Sequence, residues 1–248
     1  MSSSPAPSKP LTGRVPPEAI RRLRFDRLAP HWLERAAALP ELTANLSDAM
    51  DLLGLQGAVS ASCLPGQLPG GRVLGQAVTV RNIERAEGVA ASVADGRSRM
   101  GEHEAYNLAE PGDVVVIEGL SGVSNLGGQS AMAAARAGCA GAVVDGSIRD
   151  PDSARQLGFP IWARGVTPIT GKWRLQTVEI NGPVRIAGVG VMAGDLVAAD
   201  EAGVVFVAFA RVAEVLEQAE RIAAGDVRQQ VDLRSGVSLR ELATRKYK

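Results

Sequence analysis

Three residues carry the chemistry for which this chain is best equipped: Gly128, Arg149 and Asp150. Gly128 follows Gly127 at the start of a small-residue run, GQSAMAAARAG, whose composition suits a helix. A helix beginning there presents unbonded backbone N–H groups at Gly128, Gln129 and Ser130, together with the positive end of its dipole. That is a ready anion site. The apolar run Ala142–Val144 then predicts a buried strand ending at Asp145-Gly146. Ligands of α/β sheets gather outside such strand ends. Arg149 can fork to a carboxylate or keto oxygen. Asp150 can ligate Mg²⁺ or Mn²⁺, which prefer oxygen ligands and keep several waters. Cradle, guanidinium and carboxylate together suit a small carboxylate substrate and a hard metal ion. The blander alternative is a turn in which Arg149 and Asp150 pair with their neighbours.

Other reactive residues support their chemistries less well. Lys172 is the only lysine outside the terminal segments, which hold Lys9, Lys246 and Lys248. A Schiff-base lyase needs a desolvated lysine, whereas the Gly/Thr/Pro-rich surroundings of Lys172 predict exposure. For carbon–carbon cleavage, this scarcity favours a metal over an imine as the electron sink. His103-Glu104 begins like a zinc helix, but the position four beyond His103 is Asn107. With His31 the only other histidine, neither a two-histidine zinc motif nor a Ser-His-Asp triad is supported. Gly188, Gly190 and Gly194 imitate a dinucleotide loop without a following helix and are read as turn and bulge glycines. Asp145 and Asp195 stand in turn contexts, where aspartate is commonly structural. Arg99, Arg164 and Glu118 lie near element ends and are candidate pocket residues on that ground alone.

The elements that must position these residues suit one domain. The chain has 248 residues, 46% of them hydrophobic, and zero formal net charge. That is enough for a sizeable core. No basic stripe marks a direct nucleic-acid partner, and no apolar run reaches membrane-spanning length. The N-terminal residues lack the apolar core of a signal peptide, so a cytoplasmic protein is expected. Cys63 and Cys139 are then free buried thiols.

Residues 1–15 are Ser/Pro-rich and read as a disordered tail. Helices are expected from Pro17 to Arg24, Trp32 to Ala38, Asp48 to Leu53, Gly101 to Ala109, Gly128 to Ala137, Asp152 to Leu157 and Arg211 to Ala223, with another after Ser238. Strands are expected at Arg72–Ile83, with Gly75 as a possible bulge, and at Val114–Ile117, Ala142–Val144 and Pro160–Ala163. Short β segments fill Gln176–Val207, and Asn181-Gly182 is a hairpin signal.

At this point the residues resemble a known family. The segments LSDAMD (46–51), GQAVT (75–79), PGDVVV (111–116), VDGSIRD (144–150), GFPIWARG (158–165) and GDLVAADEAGV (194–204) are similar, in order and spacing, to the family of the regulator of ribonuclease E activity A and the 4-hydroxy-4-methyl-2-oxoglutarate aldolases. The resemblance implies a layered α/β/β/α sandwich with a central β core, RraA-like and swivelling-domain-like. It divides the chain into a tail (1–15), an N-terminal helical extension (16–45), an RraA-like domain (46–225) and a C-terminal extension (226–248). It further implies a homotrimer or hexamer with active sites near subunit interfaces.

Catalytic family members are divalent-metal-dependent lyases that cleave 4-hydroxy-2-oxo acids and decarboxylate oxaloacetate. Their motif is glycine or aspartate, twenty residues, then Arg-Asp, with an acidic residue after two more in the glycine form. Gly128 and Arg149-Asp150 fit this spacing, but the acidic position is Ser153, and Asp152 stands one residue early. The resemblance therefore implies Mg²⁺ or Mn²⁺ at Asp150, Arg149 as the catalytic residue, and a small 2-oxo-carboxylate held by Gly128, Gln129, Ser130 and Arg149. The departure at Ser153 keeps two alternatives open. One is a non-catalytic protein that regulates a ribonuclease. The other is a family enzyme for a sugar-derived oxo acid.

Overall fold

A computed structural model describes residues 9–247. The chain opens with a 3-10 turn, Pro17–Ala19, then α1 (Pro30–Ala38), α2 (Leu42–Leu52), β1 (Ala58–Ser60) and β2 (Val73–Glu84). Next come α3 (Val89–Asp95), α4 (Glu102–Leu108), β3 (Val114–Glu118), α5 (Gly128–Arg136), β4 (Gly141–Ile148), α6 (Pro151–Gln156) and β5 (Ile161–Val166). Then follow β6 (Leu175–Ile180), β7 (Val184–Ile186), β8 (Val189–Val191), β9 (Leu196–Asp200), β10 (Gly203–Val207), α7 (Val212–Arg234) and α8 (Leu239–Leu242).

The strands order as β1-β10-β9-β2-β3-β4-β5, and β6 also pairs with β2. The β2-β3-β4-β5 ladder is parallel, as its intervening helices require, whereas β1, β10, β9 and β6 join antiparallel. The twelve-residue β2 holds the sheet together because its first half pairs with β9 and its second with β6.

Alternation along each strand builds the layers. Val78, Val80, Val115, Ile117, Ala142 and Val144 pack under α4, α5 and α6. Their neighbours Ala77, Val114, Val116 and Val143 meet Val197, Ala199, Val204 and Phe206 across the molecule's centre. Leu196, Ala198, Val205 and Val207 point the other way, against α1, α2 and α7. Both faces of these strands are thus buried, which explains their unbroken Val/Ile/Ala runs. The result is the expected α/β/β/α layering, with the sheet curled into a half-barrel.

Several local expectations need correction. Of the 1–15 tail, residues 1–8 lie outside the described residues, but residues 9–15 pack on α4. Thr12 donates to Glu104 and Val15 is buried. The helix expected from Pro17 to Arg24 shrinks to its 3-10 turn. Gly75 is no bulge; it lets β2 approach the Gly112 carbonyl, which a Cβ would strike, and the irregularity falls at Arg81/Asn82. Asn181-Gly182 makes no hairpin, because Asn181 bonds Thr79 and Arg22 instead. The hairpin is β7–β8, turning at Ala187-Gly188, both with positive φ. The strand expected to end at Asp145 continues to Ile148, shifting register against β5 after Val144.

Candidate active site

The reversal after β4 assembles the site. Asp150 has left-handed backbone (φ 57°, ψ 50°), and Pro151 opens α6 behind it. A residue before proline avoids the right-handed helical region, and aspartate tolerates the left-handed one, at a cost of about 1–2 kcal/mol. Backbone strain at a residue that lines a cavity is a pointer to function. The turn swings the Asp150 carboxylate back over the start of α5, where Oδ2 accepts from the Gly128 N–H at 3.2 Å and from Arg149 Nε at 3.2 Å. The Arg149 backbone is fixed by its N–H bond to the Leu126 carbonyl at 2.9 Å. Gly128 must lack a side chain: a Cβ would come within 2.8 Å of Ser153 Cβ and Oγ and 3.2 Å of Asp150 Cβ.

These residues line a cavity of about 280 Å³ that also holds Glu102, His103, Ser124, Lys172 and Arg14. Of the expected anion cradle, the Gly128 N–H is taken by Asp150, while the N–H groups of Gln129 and Ser130 find no acceptor among the described residues. The Ser130 side chain turns inward, donating to Glu102 Oε1 at 2.9 Å and lying 3.0 Å from the Tyr106 hydroxyl. Asp150 Oδ1 has no partner among the described residues, and the Asp150 side chain is 45% exposed.

Glu102 is the candidate site residue that local sequence conceals. In the first turn of α4 it looks like an ordinary acidic helix start. Its side chain is 6% exposed, yet Oε2 has no hydrogen-bond partner among the described residues. A buried carboxylate oxygen left unpaired is costly and points to a ligand or proton. Burial, and then the nearby Glu102 charge, push the Tyr106 hydroxyl well above the usual tyrosine range, so it stays a donor.

The remaining candidates separate cleanly. Lys172 lines the cavity but is exposed, its Nζ 4.4 Å from the Trp173 ring centre, which is no setting for an imine-forming amine. Asp152 pairs with Arg155 at 2.7 Å and does not line the cavity. Arg99, Arg164 and Glu118 do not line the cavity: they pair with Glu87, Asp145 and the Arg185 N–H respectively. Cys63 and Cys139 are free thiols.

Layered α/β strands thus bring an arginine–aspartate pair to a helix start, and sequence comparison names the family. The RraA-like family model, described as Aldolase/RraA, matches residues 43–206. The chain belongs to the RraA-like family. A Halalkalibacterium halodurans protein named "Putative 4-hydroxy-4-methyl-2-oxoglutarate aldolase" is 35% identical over 125 residues, covering 50% of this chain and 59% of that protein. Protein DlpA of Legionella pneumophila is 27% identical over 201 residues, 80% of this chain and 31% of its own length. The chain thus spans less than two thirds of either relative. Among solved structures, a Pseudomonas syringae pv. tomato protein superposes with a TM-score of 0.74 at 27% identity, covering 89% of this chain and all (100%) of that one. Streptomyces coelicolor RraAS2, described as an unusual member of the RNase ES inhibitor RraA protein family, gives 0.66 at 26% identity, covering 87% of this chain and 100% of that one.

Proposed function

We propose that this chain is a carbon–carbon lyase of 2-oxo acids, of the 4-hydroxy-4-methyl-2-oxoglutarate aldolase and oxaloacetate decarboxylase type, dependent on Mg²⁺ or Mn²⁺. One observation carries the reading: Arg149 and Asp150 meet the start of α5 in one cavity, with an Asp150 oxygen left over.

The donor set suits such a cation. Among the described residues no three His, Cys, Asp or Glu side chains cluster. A magnesium-type ion needs no such cage, since one or two carboxylates, waters and substrate oxygens complete its shell. Asp150 Oδ1 would hold it. When bound, the ion supplies positive charge beside the 2-oxo and carboxylate oxygens of the substrate.

The chain's own groups do the rest. The Gln129 and Ser130 N–H groups bind the substrate carboxylate. Arg149 forks to the 2-oxo oxygen, where negative charge grows as the bond breaks. Glu102 Oε2 accepts the proton that leaves the 4-hydroxyl group, and Ser130 and Tyr106 fix its orientation. We further propose a cytoplasmic homotrimer or hexamer built on a 46–225 catalytic domain; no helix among the described residues is long and apolar enough to cross a membrane.

Pyruvate release from 4-hydroxy-4-methyl-2-oxoglutarate tests the reading. It predicts turnover with Mg²⁺ or Mn²⁺ that EDTA abolishes and excess metal restores; full turnover by the chelated protein would refute it. A second reading, a non-catalytic ribonuclease regulator, is favoured by Ser153 at the acidic position and by Asp152 turning to Arg155. It predicts tight partner binding without metal-dependent turnover.

A further inference from the structure

Beside the cavity runs a larger groove, of about 750 Å³. Its walls are residues 14–21 and 95–99, and its floor is β6. Two single bridges pin the outer edge of β6, Ile20 to Ile180 and Arg99 to Gln176, and the groove lies over the stretch between them.

Four arginines, Arg14, Arg21, Arg97 and Arg99, face this groove against two carboxylates, Glu18 and Asp95. Part of the positive charge is already matched. Arg21 and Arg81 share Glu179, Arg99 pairs with Glu87 at 2.9 Å, and Asp95 faces Arg85 at 3.6 Å. Burial pushes the Glu179 carboxyl up, and the two arginines more than reverse that, holding it below its ordinary value. Arg14 and Arg97 have no acidic partner within ion-pair distance among the described residues, and both are exposed. Two unmatched guanidinium groups, one from each wall of the groove, create a local positive potential and offer forked donors.

Groove and cavity adjoin, because Arg14 and Ser98 line both. The chain fixes Arg14 there through its neighbours. Val15 is buried beside Gly101, the Thr12 N–H donates to Glu104 at 2.8 Å, and Asn107 donates to the Pro10 carbonyl at 2.9 Å. This segment lies outside the family match at 43–206.

We infer that Arg14 and Arg97 form a second oxyanion site. It takes a phosphate or carboxylate group carried at the substrate's far end, remote from the bond that breaks; only this placement on a substrate rests on the lyase reading. Calorimetry on the full chain tests the inference with inorganic phosphate, oxalate, 2-oxobutyrate and 2-oxoadipate as probes, and needs no turnover. Arg97→Ala should weaken phosphate binding by about tenfold or more, the loss typical of a charge-assisted contact. Arg97→Lys should recover part of it, and oxalate affinity should not change. Arg14→Ala should also weaken phosphate.

A substrate-borne oxyanion further predicts that Arg97→Ala weakens 2-oxoadipate while sparing 2-oxobutyrate. If phosphate responds and 2-oxoadipate does not, the site stands as one for a separate oxyanion. Failure of oxalate alone to bind would count against the lyase reading and leave the groove intact. Absent phosphate binding by the wild type, or Arg97→Ala and Arg14→Ala variants within twofold of it, would overturn the inference.

Discussion

Two arginine–aspartate pairs stand on or beside β4, and they differ in what remains unused. At Asp145 the side chain is only 14% exposed and both oxygens are engaged: Oδ1 accepts from Arg164, and Oδ2 accepts from the Ala187 N–H at 2.6 Å. The Asp145 carboxylate holds the Arg164 guanidinium above its usual range, and Arg164 also reaches Cys63 Sγ. That pair ties β4, β5 and the β7–β8 hairpin together and has little left to offer a ligand. At Asp150 a single oxygen takes both chain contacts, the other is open to a cavity, and the backbone is strained. The same residue types thus give a fastener in one place and the proposed reactive centre in the other. Spare acceptor capacity distinguishes them, rather than charge or spacing.

Paired substitutions can break this comparison. Asp150→Ala should lower turnover by about 10²–10³-fold, the scale of losing one charge-stabilising group, while melting stays within a few degrees. Asp145→Ala should do the reverse, costing about 1–3 kcal/mol of stability in a denaturant titration with a smaller effect on turnover. Equal effects of the two substitutions on both readouts would erase the distinction. Arg149→Lys keeps the charge and loses the fork, so kcat should fall about 10–10²-fold with the fold retained. Gly128→Ala should displace both Ser153 and Asp150, which its Cβ would meet at 2.8 and 3.2 Å, and so lower metal-dependent turnover with the melting temperature nearly unchanged.

The smallest effect concerns the thiols. Burial, and then the Asp113 charge, push Cys139 up to about 12, so at pH 8 its folded-state thiolate is scarce. Because the folded pKa exceeds the ordinary thiol value, Cys139 contributes least to stability above that value, where the unfolded chain ionises first. One thiol, Cys63, should therefore react quickly with a disulfide reagent at pH 8, and Cys139 only after denaturation.

Much of this was legible in the sequence, for physical reasons. Strands buried on both faces write themselves as apolar runs, so Val114–Ile117 and Ala142–Val144 announced the central ladder. The Gly128, Arg149 and Asp150 grouping was readable because a loop, a helix and a strand of fixed length place its ends together. Asn181-Gly182 misled because a positive-φ pair makes a turn whether or not the flanking strands pair. Glu102 and Arg14 stayed hidden for a different reason. Each reaches the cavity from a segment far away in sequence, Glu102 on α4 and Arg14 in a stretch whose Ser/Pro-rich composition suggested a tail. Only long-range packing brings them in.

Oxaloacetate decarboxylation by wild type and by Asp150→Asn, in matched Mn²⁺ with metal-only decarboxylation subtracted, tests the central claim most directly. Asparagine keeps the size and the contact to the Gly128 N–H but removes the charge. The account predicts turnover well above background for wild type, and its loss in Asp150→Asn at an unchanged melting temperature. Turnover in Asp150→Asn equal to wild type, or none above background in either, would contradict it.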